Sequence, residues 1–205
     1  MLRAEQPFHL YLASSSPRRA LLVSLLGVKD VLIKPSHIEE VIPADSNPEE
    51  IAASLAFQKA SATVSLLNST DAPGIALGAD TIVVINGAIL GKPVDGDDAK
   101  RMLRILSGAT HTVYTGVSFV DSREARSLSF CEATDVTFRP LSEAEIDAYV
   151  AGGSPMDKAG SYGIQDDHGA VFVSRIVGDY YNVVGLPLCS TYVKLREFAP
   201  ELFHP

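Results

Sequence analysis

The sequence lacks tryptophan and has only two cysteines, Cys131 and Cys189, in 205 residues. The two cysteines form no C-x-x-C pair and have no spacing typical of metal ligands. This excludes a disulfide framework and a cysteine-based zinc site. We expect both cysteines to be reduced residues of the core.

The sequence also lacks long apolar runs and an excess of basic residues. No run approaches the roughly 20 apolar residues of a membrane-spanning helix, and the N-terminus has no apolar signal core. Lys and Arg number 17 against 25 Asp and Glu, which gives a formal net charge of −8. Proteins that wrap a nucleic-acid polymer depend on basic surface, so that class is disfavoured. We expect a cytoplasmic protein with no membrane partner, in which one local basic pocket could still bind a small anion.

The chain contains no repeat, low-complexity tract or long linker, so we expect one domain over residues 1–205. Strand patterns fall at about 8–13, 31–35, 75–85, 111–120, 126–139 and 170–184, and helical patterns at about 17–26, 48–67, 97–107, 142–151 and 187–198. Strands and helices alternate early and long strands follow later. This order predicts an α/β fold with a mixed sheet.

Local signals predict several element boundaries. Pro17 suits the first position of a helix, and Asn47-Pro48 supplies a cap and a first-turn proline for the next long helix. Ser142 and Glu145 form a capping-box pattern. Asn86-Gly87 between apolar runs predicts a tight hairpin.

The stretch "LASSSPRRALL" (12–22) places hydroxyls and guanidiniums around the start of a predicted helix. A helix N-terminus is already positive and disfavours cations, so Arg18 and Arg19 are unexpected there. They become favourable if an anion such as a phosphate binds to Ser14, Ser16, Arg18 and Arg19. The alternative is a solvated arginine pair behind a serine cap.

Two ionisable residues lie in apolar surroundings. Lys59 falls on the apolar face of the predicted helix at 48–67, where a lysine must reach solvent along its stem or meet an anion. Asp80 stands inside an apolar strand, where an unpaired carboxylate is costly. A structural ion pair, a metal site and acid–base chemistry all remain open for it. Gly78 and Ala79, just before it, leave room for a ligand to approach the backbone.

Three further residues are candidates on weaker grounds. Glu40 follows Glu39 ahead of the helix at 48–67 and could supply an oxygen ligand to a divalent cation or be a surface charge. Lys92 follows a hairpin strand and could point its ammonium at the same anion. Gln165 ends the glycine-rich stretch "PMDKAGSYGIQ" and offers a donor and an acceptor to a base edge, although such a stretch could be an ordinary loop.

Taken in order, these segments resemble the Maf family of nucleotide pyrophosphatases along nearly the whole chain. The matching motifs are S-S-S-P-R-R at 14–19, E-E at 39–40, Q-K-A at 58–60, G-A-D-T at 78–81, G-K-P at 91–93, S-G at 107–108, K-A-G-S-Y-G-I-Q at 158–165 and G-L-P at 185–187. Each motif is weak alone, and the ordered set is highly specific. One mild departure is Glu39, where many members have aspartate.

The resemblance implies an elongated mixed sheet flanked by helices, related to the inosine-triphosphate pyrophosphatases. It also implies a metal-dependent reaction in which a nucleoside triphosphate and water give the monophosphate and pyrophosphate. Asp80 would be the proton acceptor, with Lys59, Lys92 and Glu40 also catalytic. Glu40 and Asp80 would hold Mg²⁺ or Mn²⁺.

The resemblance further implies a substrate class. Arg18, Thr81 and Gln165 have the identities of the branch that hydrolyses dTTP and UTP. Clearance of modified nucleotides is an alternative with the same chemistry. A nucleotide-binding regulator of cell division without turnover is another, although the retained Asp80 and Glu40 argue against it. A homodimer is compatible with the resemblance, and the sequence leaves the oligomeric state open.

Overall fold

The computed structural model describes residues 7–36, 38–165 and 167–203. Its strands are β1 (His9–Leu12), β2 (Val31–Ile33), β3 (Gly74–Ile85), β4 (Ala88–Leu90), β5 (Thr110–Asp121), β6 (Ser127–Phe138) and β7 (Val173–Val177). The α-helices are α1 (Pro17–Ser24), α2 (Pro48–Ser65), α3 (Gly96–Leu106), α4 (Glu143–Ala151), α5 (Tyr180–Val184) and α6 (Leu188–Phe198). Short 3₁₀ helices cover Ser154–Asp157, Ala159–Ser161, Asp167–Phe172 and Pro200–Phe203.

The strands form one seven-stranded sheet in the order β2-β1-β3-β5-β6-β7, with β4 paired to β3. β1 is parallel to both β2 and β3, whereas the β3–β4 and β6–β7 pairs are antiparallel. A sheet with both kinds of pairing and helices along the chain confirms the predicted mixed-sheet α/β class. Within the described ranges, no helix is long and apolar enough to cross a membrane.

The helix starts follow the predicted caps. The Ser16 side chain accepts the Arg19 backbone N–H, with Pro17 at the first helical position. Asn47 with Glu50 and Ser142 with Glu145 form complete capping boxes. Each box satisfies two of the N–H groups that a helix start leaves unpaired, so it fixes where the helix begins.

The predicted strand at 170–184 is wrong over most of its length. Only Val173–Val177 is extended, and Tyr180–Val184 is helical. Gly178 has φ of 128°, and the Asp179 carboxylate accepts the Tyr181 N–H at 2.7 Å, as an N-cap does. This local break and cap override the β-propensity of the Tyr and Val residues that follow.

The prediction that both cysteines are core residues is wrong. Both thiols are free, but Cys131 on β6 is half-buried and Cys189 on α6 is exposed. Cys131 lies in the first half of β6, which has no buried residue, and Cys189 is in the exposed first turn of α6. Neither position belongs to the core.

The chain forms two compact units, each assembled from separate segments. Unit 1 contains the described residues up to Asp80, Gly116–Cys131 and the residues from Gly185 onward. Its core includes the fully buried side chains of Leu10, Leu12, Ile75, Leu77 and Phe119. The prediction of one domain over 1–205 stays a prediction.

Unit 2 contains Thr81–Thr115 and Glu132–Val184. Its core holds a cluster of aromatic rings, with Phe138 and Tyr162 at 4.8 Å and Tyr149 and Phe172 at 5.0 Å between centroids. His111 belongs to this cluster and is 2% exposed. These edge-to-face ring contacts stabilise unit 2 beyond their buried area.

Candidate active site

The predicted phosphate-binding stretch is a capped helix start in unit 1. Ser14 Oγ accepts the Ser16 N–H at 3.2 Å, and Ser16 Oγ accepts the Arg19 N–H at 3.4 Å. Arg19 Nε donates to the Gly185 carbonyl oxygen at 2.9 Å. The two hydroxyls therefore accept local backbone N–H groups, and each keeps its own O–H as a donor.

Arg19 lies in a mixed electrostatic environment. Burial lowers the pKa of its guanidinium, and the neighbouring Arg18 charge lowers it further, whereas Asp80 and Glu40 raise it. An arginine stays protonated in proteins despite such shifts. The helix start thus carries partly buried positive charge next to two carboxylates, and a bound anion would compensate that charge.

A close approach between α2 and β3 brings Lys59 to Asp80. A side chain at Gly78 would overlap the Ala56 carbonyl oxygen and would come within 2.8 Å of the Ala60 nitrogen. Gly116 on β5 has the same relation to Ala52. The helix backbone therefore lies directly on the sheet, and Asp80 projects from the same face of β3 as Gly78. The expectation that Gly78 leaves room for a ligand is wrong, because α2 fills that space.

Lys59, Asp80 and Glu40 form one ion cluster in unit 1. The Lys59 ammonium contacts the Asp80 carboxylate and lies 3.0 Å from Glu40 Oε1. The side chains of Lys59 and Asp80 are 16% and 13% exposed, whereas that of Glu40 is 43% exposed. Lys59 thus meets anions at the inner side of α2 instead of extending into solvent, and its stem is largely buried.

The cluster carries a net charge of −1, because two carboxylates share one ammonium. Carboxylate oxygens are the ligands that Mg²⁺ and Mn²⁺ prefer. Within the part of the chain that the structure describes, no three His, Cys, Asp or Glu side chains are grouped as a metal site. The two carboxylates fit a cation that takes its remaining ligands from a substrate and water, as Mg²⁺ commonly does.

Thr81 begins a hydrogen-bonded chain in unit 2. Its Oγ1 lies 2.9 Å from Thr115 Oγ1, which donates to the Asn182 carbonyl oxygen at 2.9 Å. Thr115 has one hydroxyl proton, so Thr81 is the donor to Thr115 and any other partner of that Thr81 oxygen must donate to it. Asn182 is fully buried and donates to Val113 O at 3.0 Å and to Thr134 Oγ1 at 2.9 Å.

Lys92 and Gln165 are the two exposed residues of the predicted set in unit 2. Lys92 follows β4, as expected, and Gln165 lies in a bend after Ile164. Neither side chain has a hydrogen bond or ion pair to any other described residue. The Gly160 N–H donates to the Gly91 carbonyl oxygen at 3.0 Å, so the backbone beside Lys92 is joined to the segment that leads to Gln165.

Residues of the aromatic cluster hold the segment that leads to Gln165 by hydrogen bonds. The Tyr162 hydroxyl and His111 Nε2 are 2.8 Å apart, and the Gly163 N–H donates to the Tyr149 hydroxyl at 3.2 Å. Burial lowers the pKa of His111 to about 4 and raises that of the Tyr162 hydroxyl. Both groups are therefore neutral near pH 7, and the segment is anchored without charge.

The predicted residues fall into one subset in each unit. Unit 1 holds Ser14, Ser16, Arg18, Arg19, Glu40, Lys59 and Asp80, and unit 2 holds Thr81, Lys92 and Gln165. Their functional roles stay predictions. Sequence reasoning missed Thr115 and Asn182; the only signal for Asn182 was its place in the glycine-flanked stretch "GDYYNVVGLPL".

The family model described as "Maf-like protein" matches residues 9–198. A protein named dTTP/UTP pyrophosphatase from Bacillus cereus (strain AH820) is 50% identical over 195 residues, which cover 95% of this chain and 98% of the relative. The protein of the same name from Bacillus anthracis matches to the same extent.

The fold also resembles a solved structure of low sequence identity. A HAM1 protein from Coxiella burnetii superposes with a TM-score of 0.52 at 15% identity, over 93% of this chain and 100% of that protein. At this identity the likeness concerns the fold alone. It agrees with the mixed-sheet architecture expected from the motifs.

Proposed function

Because this chain belongs to the Maf-like protein family, we propose that it is a nucleoside triphosphate pyrophosphatase that hydrolyses dTTP and UTP to the monophosphate and pyrophosphate. Relatives of that name share half of its residues over nearly the whole chain. The observation that carries the proposal is the cluster of Asp80 and Glu40 on Lys59. A carboxylate, an ammonium and nearby guanidiniums are the groups that hydrolysis of a phosphoanhydride requires.

We assign Asp80 the role of general base on the family resemblance. Its carboxylate is largely buried and is oriented by the Lys59 ammonium, so it can accept a proton from a water held beside it. That water attacks the α-phosphorus, the bond from this phosphorus to the bridging oxygen breaks, and pyrophosphate leaves with the electron pair. Lys59, Arg18 and Arg19 offset the negative charge, and Lys92 is assigned the same role on the family resemblance.

Glu40 and Asp80 are the residues that would hold a divalent cation. Such a cation, when bound, would supply charge stabilisation at the phosphate oxygens. The fit rests on the donor set, since both groups are carboxylates that contact the same Lys59 ammonium. The cytoplasmic location and the homodimer remain predictions.

The decisive experiment measures pyrophosphate release from dTTP, UTP, CTP and modified nucleotides by the parent and by Asp80→Asn. The substitution keeps the shape and removes the base, so we expect turnover to fall by about 10²-fold or more. Asp71→Asn is the matched control, because it breaks the Lys34–Asp71 pair of 2.9 Å in the same unit. We expect this control to keep parental turnover.

Three outcomes would change the proposal. Near-parental turnover of a folded Asp80→Asn variant would make the Lys59–Asp80 pair structural. Faster hydrolysis of modified nucleotides than of dTTP and UTP would favour the clearance of damaged nucleotides. Nucleotide binding without any release of pyrophosphate by the parent would favour the non-catalytic regulator.

A further inference from the structure

The side-chain amide of Gln58 is hydrogen-bonded to the backbone of the segment that carries Glu40. Gln58 Oε1 accepts the Val41 N–H at 2.9 Å, and Gln58 Nε2 donates to the Val41 carbonyl oxygen at 2.7 Å. One side-chain amide thus satisfies both backbone groups of the residue next to Glu40, as a neighbouring strand would do. Nε2 also donates to Ser54 Oγ at 3.2 Å, one turn earlier on α2.

These two hydrogen bonds matter because burial does little to hold residues 38–46 in place. Residues 38–46 contain no helix or strand, and the side chains of Val41 and Ile42 are 65% and 59% exposed. Among the described residues, two polar contacts join this segment to α2: the Gln58–Val41 pair and the Glu40–Lys59 ion pair. The Glu40 side chain is 43% exposed, and an ion pair that reaches solvent is a weak anchor alone, since it costs side-chain entropy and is screened by salt.

The position of Gln58 along α2 explains how its hydrogen bonds to Val41 affect Glu40. Gln58 directly precedes Lys59, and Val41 directly follows Glu40, so the two contacts are adjacent on both partners. When the Gln58 amide fixes the backbone at Val41, the Glu40 carboxylate is held over the ammonium that also contacts Asp80. The amide therefore determines whether the cluster has one carboxylate or two.

We propose that Gln58 is a positioning residue that acts through Glu40. Its amide keeps the Glu40 carboxylate in the Lys59–Asp80 cluster and so sets the rate of phosphoanhydride hydrolysis. The effect on rate rests on the proposed pyrophosphatase function, whereas the effect on Glu40 is a property of the free protein. Groups that orient a catalytic carboxylate in this way are commonly worth about 10- to 100-fold in activity.

The test is a double-mutant cycle between Gln58 and Glu40. Gln58→Met keeps the length of the side chain and removes both hydrogen bonds to Val41, and we expect kcat for UTP to fall about 10-fold or more. In the Glu40→Gln background the same substitution should change kcat by less than about 2-fold, because residues that act as a unit are not additive. Ser54→Ala is the matched control, since it removes a hydrogen bond of the same amide that does not reach Val41.

Two measurements on the free protein test, without substrate, whether the Gln58–Val41 hydrogen bonds hold Glu40 near Lys59. We expect amide hydrogen exchange at Val41 to accelerate in Gln58→Met and to stay parental in Ser54→Ala. The ¹⁵N resonance of the Lys59 ammonium should shift in the same direction in Gln58→Met as in Glu40→Gln. If the parent releases no pyrophosphate, the proposed function fails, and these two measurements still decide the role of Gln58.

Three results would overturn the proposal. Parental kcat in Gln58→Met would show that the amide does not set the rate. An equal fall in kcat in the Glu40→Gln background would show that Gln58 does not act through Glu40. A fall in Ser54→Ala as large as that in Gln58→Met would assign the effect to α2 itself.

Discussion

The buried His111 should make the stability of the protein depend on pH largely above the range in which carboxylates titrate. Its ring is 2% exposed, and burial lowers its pKa to about 4 from an ordinary value near 6.5. Between these two values the unfolded chain binds a proton that the folded protein excludes. The contribution of neutral His111 to the free energy of unfolding is therefore fully present well above pH 6.5 and is lost as the pH falls toward 4.

The size of the effect follows from the difference between the two pKa values. A difference of about 2.5 units corresponds to about 3 kcal/mol once the pH is below both values. Most of this change occurs above the carboxylate range. Between pH 7.5 and pH 5 the His111 contribution to the free energy of unfolding should fall by about 2 kcal/mol.

Urea unfolding of the parent and of His111→Gln at a series of pH values measures this contribution. Glutamine can place a polar atom near the Tyr162 hydroxyl and does not titrate, so the stability of the parent relative to the variant should decline as the pH falls from 7.5 to 5. His168→Gln is the control, because His168 is exposed, and it should keep the parental pH profile. Parallel profiles for the parent and His111→Gln would refute the reasoning.

Three other predictions follow from the described contacts. Lys59→Met should lose about 10²-fold in turnover; a lower melting temperature with turnover retained would instead make Lys59 a structural residue. Gly78→Ala should destabilise the protein by about 3 kcal/mol in urea unfolding, because the new methyl group overlaps the Ala56 carbonyl oxygen, whereas Gly91→Ala meets nothing and should be near neutral. Gln165→Ala should lower UTP hydrolysis more than CTP hydrolysis, by roughly 10- to 100-fold, if its amide pairs with the uracil edge; an equal fall with both substrates would remove Gln165 from base recognition.

The parts of the fold that local chemistry determines could be predicted from the sequence. The starts of α1, α2 and α4 lie within a residue or two of their predicted positions, because Ser16, Asn47 and Ser142 act on N–H groups only three residues away. The Asn86-Gly87 hairpin was equally predictable, since these residue types favour the positive φ that both adopt.

Features that depend on distant segments could not be predicted. The α5 segment has strand-like residues, and its helix is supported by Asn182 bonds to Val113 and Thr134, which lie 69 and 48 residues away in the chain. The inward position of Lys59 was visible in the helical periodicity. Its shared contact with Glu40 and Asp80 was not, because it depends on how closely α2 approaches β3 at Gly78.

The way in which each unit is assembled from separate segments bears on how the protein folds during synthesis. Once the ribosome has made Val184, every residue of unit 2 exists, but unit 1 still lacks α6. That helix closes unit 1 through the Phe119–Phe198 ring contact and the Arg126 hydrogen bond to the Phe198 carbonyl oxygen. Unit 1, which holds Asp80 and Lys59, is therefore closed by contacts between residues more than 70 positions apart in the chain, and such long-range closure is slow. The nascent chain consequently exposes part of the apolar core of unit 1 until α6 has been made.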